Sequence, residues 1–276
     1  MQRTLRSPST ASLGILGALF TASFFAAGAL PLSAATLQPR TSEAFDRYIR
    51  ETEQRLGDST GASAKFLWAD ESPERAARVR QGSPQVVPFG AKAVIEVPGG
   101  LIHDWVGSVF IPGATLARTL AMVQDYSHHK DVYKPEVVDS RLLSHQGNVF
   151  QIHLRLLKKK VITVVLNTEH EVTYTPLSRS RVRSVSRSTR IAEVESPGKA
   201  GERDLPPGTG EGFLWRLNSY WRFEERDGGT WVECQAISLT RNVPAGLGWI
   251  VQPIIRDLPK ESLENTLRST RAMLAK

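Results

Sequence analysis

Val149-Phe-Gln-Ile-His-Leu-Arg-Leu-Leu157-Lys-Lys-Lys160-Val161-Ile-Thr-Val-Val-Leu-Asn-Thr-Glu-His-Glu-Val-Thr-Tyr174 contains two runs of alternating apolar residues separated by three lysines. In the first run Phe150, Ile152, Leu154 and Leu156 share one parity. In the second, Ile162, Val164, Leu166, Thr168, His170, Val172 and Tyr174 do. Period-two alternation in β-branched and aromatic residues predicts half-buried strands. A connection this short joins antiparallel neighbours, because parallel strands need a crossover of a dozen residues or more.

Outward from this hairpin the same grammar repeats. Arg181–Val194, Phe213–Glu225 and Thr230–Leu239 follow it, while Glu136–Leu143 and His103–Ile111 precede it. Gln146-Gly147-Asn148 and Asp227-Gly228-Gly229 supply further short turns. A helix is expected over Thr115–Tyr126, with Leu116, Leu120 and Val123 on one face. After a segment at Pro253–Leu258, a last helix is expected over Lys260–Ala275, striped by Leu263, Leu267, Thr270 and Leu274. The sheet's apolar face needs a cover, and the terminal helix is available to supply it. The fold class read here is α+β: a curved antiparallel sheet gripping a long C-terminal helix.

Residues 36–100 read as an N-terminal helical extension, and 101–276 as the main domain. Ser42 is a candidate N-cap, with Phe45, Ile49, Thr52 and Leu56 on one helical face and Gly57 as the stop. Pro73–Arg80 reads as a second short helix and Ala93–Val97 as a short strand. Ahead of these, Arg3 and Arg6 precede an uncharged apolar run from Ala11 to Leu30, and small residues close it at Ser33 and Ala35. These three zones predict a cleaved signal peptide over 1–35 and an exported, periplasmic or secreted protein. The competing reading is an uncleaved anchor, since about 20 apolar residues can span a bilayer.

The chain carries a formal charge of +7, about +5 without the two leader arginines. For an exported protein this excess suits transient contact with an anionic membrane surface, or an acidic ligand, rather than nucleic acid. The lone Cys234 excludes an intramolecular disulfide, and its alternation with Val232 and Ala236 predicts a buried thiol.

The stretch Trp105-Val-Gly-Ser-Val-Phe-Ile-Pro-Gly-Ala-Thr-Leu116, followed by Asp125-Tyr126-Ser-His-His-Lys-Asp-Val-Tyr133-Lys-Pro135-Glu-Val-Val138-Asp-Ser-Arg141, resembles the opening of the START-like helix-grip superfamily (SRPBCC), which includes polyketide cyclase/dehydrase-like and lipid-transport proteins. The resemblance spans about 100–275. It implies a cavity between sheet and terminal helix that holds a hydrophobic small molecule or lipid, without universal catalytic residues.

No phosphate loop, His-Glu-x-x-His, Gly-x-Ser-x-Gly or paired cysteines occur, so no catalytic residue, metal ligand or cofactor is assigned. Gly208, Gly210 and Gly212 follow two prolines rather than a strand and read as loop. His128-His129 reads as a solvated loop beside the cavity mouth. Lys158–Lys160 reads as a solvated hairpin tip, or else as a foot for anionic lipid. Residues 196–212 read as a disordered connection or a lid, and Arg181, Arg183 and Arg187 as solvated sheet face.

Strand phase places Phe150, Ile152, Leu166, His170, Ser186, Ser188, Arg190, Trp215 and Trp221 toward the terminal helix as the candidate ligand-binding set. His170 and Arg190 interrupt the apolar faces. They read either as polar anchors for a ligand head group or as residues reaching water at the sheet's end. The first functional reading is an exported binder or carrier of a hydrophobic, lipid-like molecule. The second is a cyclase/dehydrase-like enzyme with His170 as acid/base, and the third an interaction module using residues 36–100.

Overall fold

The computed structural model describes residues 35–58, 65–159, 163–242 and 257–275. The expected leader (all but its last residue), Lys160 of the expected hairpin tip, Val161 and Ile162 of the expected strand, and residues 253–256 of the expected Pro253–Leu258 segment lie outside the described residues.

Among the described residues, ten strands form one open antiparallel sheet. In chain order they are β1 Gln85–Pro88, β2 Val94–Val97, β3 Gly100–Pro112, β4 Val137–Gln146, β5 Val149–Lys159, β6 Thr163–Pro176, β7 Arg181–Glu195, β8 Arg203–Asp204, β9 Arg216–Arg226 and β10 Gly229–Arg241. Their order across the sheet is β1-β3-β10-β9-β7-β6-β5-β4, with β2 also paired to β3 and β8 to β7. The α-helices among the described residues are α1 Pro39–Asp58, α2 Pro73–Arg80, α3 Leu116–Val123, α4 His129–Val132 and the terminal α5 Leu258–Leu274. This is the expected helix-grip α+β arrangement.

Helix α5 carries its stripe as read: Leu263, Leu267, Thr270 and Leu274 are all buried. It starts two residues earlier than expected, because the fixed φ of Pro259 suits a helix's first turn. The helix lies over β3, β1 and β10. Gly107 permits the approach: a Cβ there would meet Leu267 Cδ1 at 2.7 Å.

The opposite face of the sheet departs from expectation. It too is apolar and covered, here by the extension. Phe45 and Ile49 of α1 pack with Ile102, Trp215, Tyr220, Ile237 and Leu239. Leu67, Ala69 and Val79 pack with Phe110 and Trp231. The helix begins at Pro39, so Ser42 is not a cap but lies inside it, accepting a hydrogen bond from Arg216 at 3.4 Å. Charge pairs complete the cover: Arg216 with Asp46 at 3.1 Å, and Arg187 with Glu53 at 2.6 Å. Arg181 pairs with Glu224 at 2.6 Å. Arg181 and Arg187 remain exposed, as read, and each makes an ion pair there. A buried carboxylate also pins the 3-10 turn Trp68–Glu71: Glu233 accepts the N–H groups of Trp68 (2.9 Å) and Ala69 (3.2 Å) and pairs with Arg222 at 2.8 Å.

Candidate functional site

Between the inner sheet face and α5 lies a cavity of about 300 Å³. Its origin is legible in the register. Ser186 of β7, Ser219 of β9 and Ala236 of β10 are cross-strand partners, with Ser184, Trp221 and Cys234 in the next row. Small side chains at the centre of three adjacent strands leave space that α5, seated over β3 and β10, does not fill. Val123, Val137, Ile152, Leu154, Leu156, Val164, Leu166, Val172, Leu217 and Phe223 make the wall apolar.

Three polar groupings break that wall. The first is aromatic. Tyr126 and Tyr174 share a hydrogen bond of 2.8 Å between hydroxyls, and Tyr133 meets Thr270 Oγ1 at 3.3 Å. Burial holds both Tyr126 and Tyr174 un-ionised and pushes Tyr133 up to about 12. His129 donates through Nε2–H to the Val123 carbonyl at 3.1 Å, and burial brings it down to about 4.

The second is His170, 3% exposed. Its Nε2 lies 3.1 Å from Thr168 Oγ1, which itself donates to the Leu154 carbonyl at 3.1 Å. Its Nδ1 has no hydrogen-bond partner, and burial lowers the ring to about 4. At neutral pH this is an uncharged imidazole.

The third lies at the start of α5. Lys158 pairs with Glu136 and donates to Ser262 Oγ at 2.5 Å. Burial pulls the ammonium's pKa below its usual range, while Glu136 opposes the shift. Lys158 is therefore not a solvated tip residue. It continues the inward parity of Ile152, Leu154 and Leu156.

Of the sequence-derived set, Ile152, Leu166, His170, Ser186 and Trp221 line the cavity. The other four are elsewhere. Phe150 is buried in the inner core beside Tyr126 and Tyr174, each at 5.5 Å between ring centres. Ser188 accepts the Leu217 N–H at 3.0 Å, repairing the ladder where β7 bulges. Arg190 is turned away from the cavity and pairs with Asp204 at 2.6 Å, each side chain 31% exposed. The cause is a register shift: His170 faces Ser188 but Glu169 faces Arg190, so one extra residue in β7 inverts the phase beyond it. Trp215 precedes β9 and packs on the outer face with Phe45, so the parity running through Leu217 and Trp221 does not extend back to it.

Two loops are also corrected. His128 is exposed and bonded to Asp125 at 2.8 Å, but His129 is buried in the cavity wall. Residues 196–212 are neither disordered nor free. They include β8, and buried Glu193 accepts the N–H groups of Glu211 (2.6 Å) and Phe213 (3.0 Å). Burial raises the Glu193 carboxyl above the ordinary range.

Polar lining residues missed from sequence include Tyr126, His129, Tyr133, Glu136, Lys158, Ser262, Asn265 and Thr266. A usable signal existed for two of them. Ser262 and Thr266 sit four apart beside the Leu263–Leu267 stripe, a small polar flank on a helix otherwise packed against a sheet. Among the described residues no cluster of His, Cys, Asp or Glu could hold a metal ion, and no helix is long and apolar enough to cross a membrane.

No family model and no curated protein matches the chain. Among solved structures it is similar to a fragment of a STAR-related lipid transfer protein from Xanthomonas axonopodis, at 15% identity over 70% of this chain and 99% of that one, TM-score 0.45. It is similar to the human StarD13 lipid transfer and protein localization domain at 8% identity over 76% and 98%, TM-score 0.42. It is also similar to the Zhui aromatase/cyclase from Streptomyces sp. R1128 at 13% identity over 63% and 93%, TM-score 0.39. The described residues form a helix-grip α+β fold, an antiparallel sheet closed by a terminal helix over an apolar cavity.

Proposed function

We propose that this protein is an exported binder or carrier of a hydrophobic small molecule held between the sheet and α5. The observation that carries the reading is the cavity. At about 300 Å³ it stands at the lower end of the ~300–1,000 Å³ usual for small-molecule sites, with an apolar wall and few placed polar groups. Kept dry and empty, such a void would cost about 7 kcal/mol at ~24 cal/mol per Å³, comparable to a domain's whole margin of ~5–15 kcal/mol. Occupancy by an apolar ligand removes that cost. Export rests on the leader, and transient contact with an anionic membrane on the excess of basic residues.

The enzyme reading asks His170 to act as a base. A ring pushed down to about 4 is a weak base near neutrality, which favours binding over catalysis. The interaction-module reading asks the extension for a free apolar face, yet α1 uses its own face against the sheet. The test is organic extraction of protein purified from its native host, with mass spectrometry of the extract and of the N-terminus. A stoichiometric apolar compound on a chain beginning at Thr36 is expected. A chain without bound compound that fails to take up apolar probes overturns the binder, and an intact leader overturns cleavage and export by that route.

A further inference from the structure

Lys158 is the one lysine among the described residues that lines the cavity. Lys65, Lys92, Lys134, Lys159, Lys199 and Lys260 are exposed. Lys158 and Glu136 stand in the cavity wall with some surface free: the Lys158 side chain is 15% exposed and that of Glu136 22%. Ser262 Oγ on α5 accepts a second N–H from Lys158 at 2.5 Å. An ammonium has three N–H groups, so Glu136 and Ser262 hold the nitrogen in place and leave one N–H over. A purely structural cation would gain the same pairing from arginine, which grips a carboxylate with two hydrogen bonds and never gives up its charge. Lysine differs in that it can lose its proton and become a nucleophile. Burial in the apolar wall favours that neutral form, while Glu136 opposes the shift.

We infer that Lys158 is a covalent anchor, which binds an apolar aldehyde as a Schiff base with Glu136 as its counter-ion. The inference rests on the binder reading above and specifies its ligand class. The steps balance without any further reactant. Glu136 takes a proton from the ammonium, and the amine's lone pair forms a C–N bond to the carbonyl carbon as the C=O π pair moves to oxygen. That oxygen collects two protons, one from the nitrogen and one from Glu136, and leaves as water while C=N forms. The product is an iminium that keeps the positive charge of the ammonium, so it faces the same Glu136 carboxylate. The apolar wall slows its hydrolysis by keeping water away.

The experiment treats delipidated protein at neutral pH with 2-naphthaldehyde and sodium cyanoborohydride, which reduces the imine to a stable amine. Peptide mass spectrometry then maps the label. Confinement in the cavity raises the effective concentration of aldehyde, so Lys158 should be labelled at least about tenfold faster than any exposed lysine. Excess 2-methylnaphthalene, which lacks the carbonyl, should slow labelling of Lys158 alone. In Lys158→Arg, which keeps a cation beside Glu136, the fast phase of labelling should vanish. Glu136→Gln should slow it about 100-fold. Binding of 2-methylnaphthalene by a protein whose Lys158 is labelled no faster than its exposed lysines overturns the inference and leaves the binder intact. So does a fast phase that survives Lys158→Arg, or one that 2-methylnaphthalene does not slow although it binds. A protein that neither binds 2-methylnaphthalene nor is labelled rapidly overturns both readings. Should Lys158→Arg fail to fold, the wild-type rates with and without 2-methylnaphthalene decide.

Discussion

The two faces of the sheet are covered by the same kind of element and yet solve opposite problems. On the outer face, α1 and the 3-10 turn before α2 are fastened by buried or half-buried charge: Glu233 to Arg222 and two N–H groups, Glu53 to Arg187, Asp46 to Arg216. Tyr48 on α1 donates to Asp104 at 2.7 Å, and Gln235 donates to the same carboxylate at 2.9 Å. On the inner face α5 is fastened chiefly by leucines, with Lys158 donating to Ser262 and Tyr133 meeting Thr270. Room is kept where Ser184, Ser186, Ser219 and Ala236 stand. The difference shows that the cavity follows from side-chain size at the middle of three strands, not from a missing cover.

The comparison breaks most severely if α5 is removed. Leu263, Leu267 and Leu274 are each 4% exposed or less, and losing Leu-sized contacts costs about 2–5 kcal/mol each. Truncation before Leu258 should therefore abolish cooperative thermal unfolding. A truncated chain that still melts sharply would mean that the extension alone holds the sheet.

On the outer face, Glu233→Ala leaves Arg222 near-buried without its partner and releases the N–H groups of Trp68 and Ala69. A loss of about 3–5 kcal/mol is expected in chemical denaturation, with earlier proteolysis within 65–80. A loss below 1 kcal/mol would mean that the extension is held by its apolar contacts alone.

The faces should also respond to pH in opposite senses. His129 and His170 are lowered by burial from 6.5 to about 4, so the stability they contribute is complete above 6.5 and is lost as pH falls toward 4. Asp104 is raised from 3.8 to about 6, chiefly by burial, so its contribution is complete below 3.8 and is lost as pH rises through 6. Between pH 4 and 6.5, Asp104→Asn should steepen the rise of stability with pH, and His170→Gln should flatten it. Parallel curves for wild type and both variants would contradict the buried, neutral histidine and the protonatable aspartate alike.

Filling the void sharpens the contrast from the inside. Ser186→Leu should bar the ligand while changing stability by only about 0.5–2 kcal/mol, in the stabilising direction. Retention of a co-purified compound at wild-type level would place the ligand elsewhere. The smallest effect belongs to Arg190→Leu. Its partly exposed pair with Asp204 contributes about 0–1 kcal/mol, and ligand retention should be unchanged. Loss of ligand in this variant would restore Arg190 to the cavity.

Local pattern was enough for the hairpins, the antiparallel sheet, the α5 stripe and the buried Cys234, because periods of two and 3.6 are written in consecutive residues. It also placed Ile152, Leu166, His170, Ser186 and Trp221 on the cavity wall. Three things were beyond it. The bulge in β7 turned Arg190 outward, since an extra residue shows only when two strands are paired. Trp215 went to the outer face because an apolar partner waited there on α1. Lys158 turned inward to Glu136 and Ser262, residues 22 and 104 positions away in the chain. A strand's phase is a property of its own sequence. Which neighbour resets that phase, and which distant charge repays burying an ammonium, depends on contacts that exist only once the chain has folded.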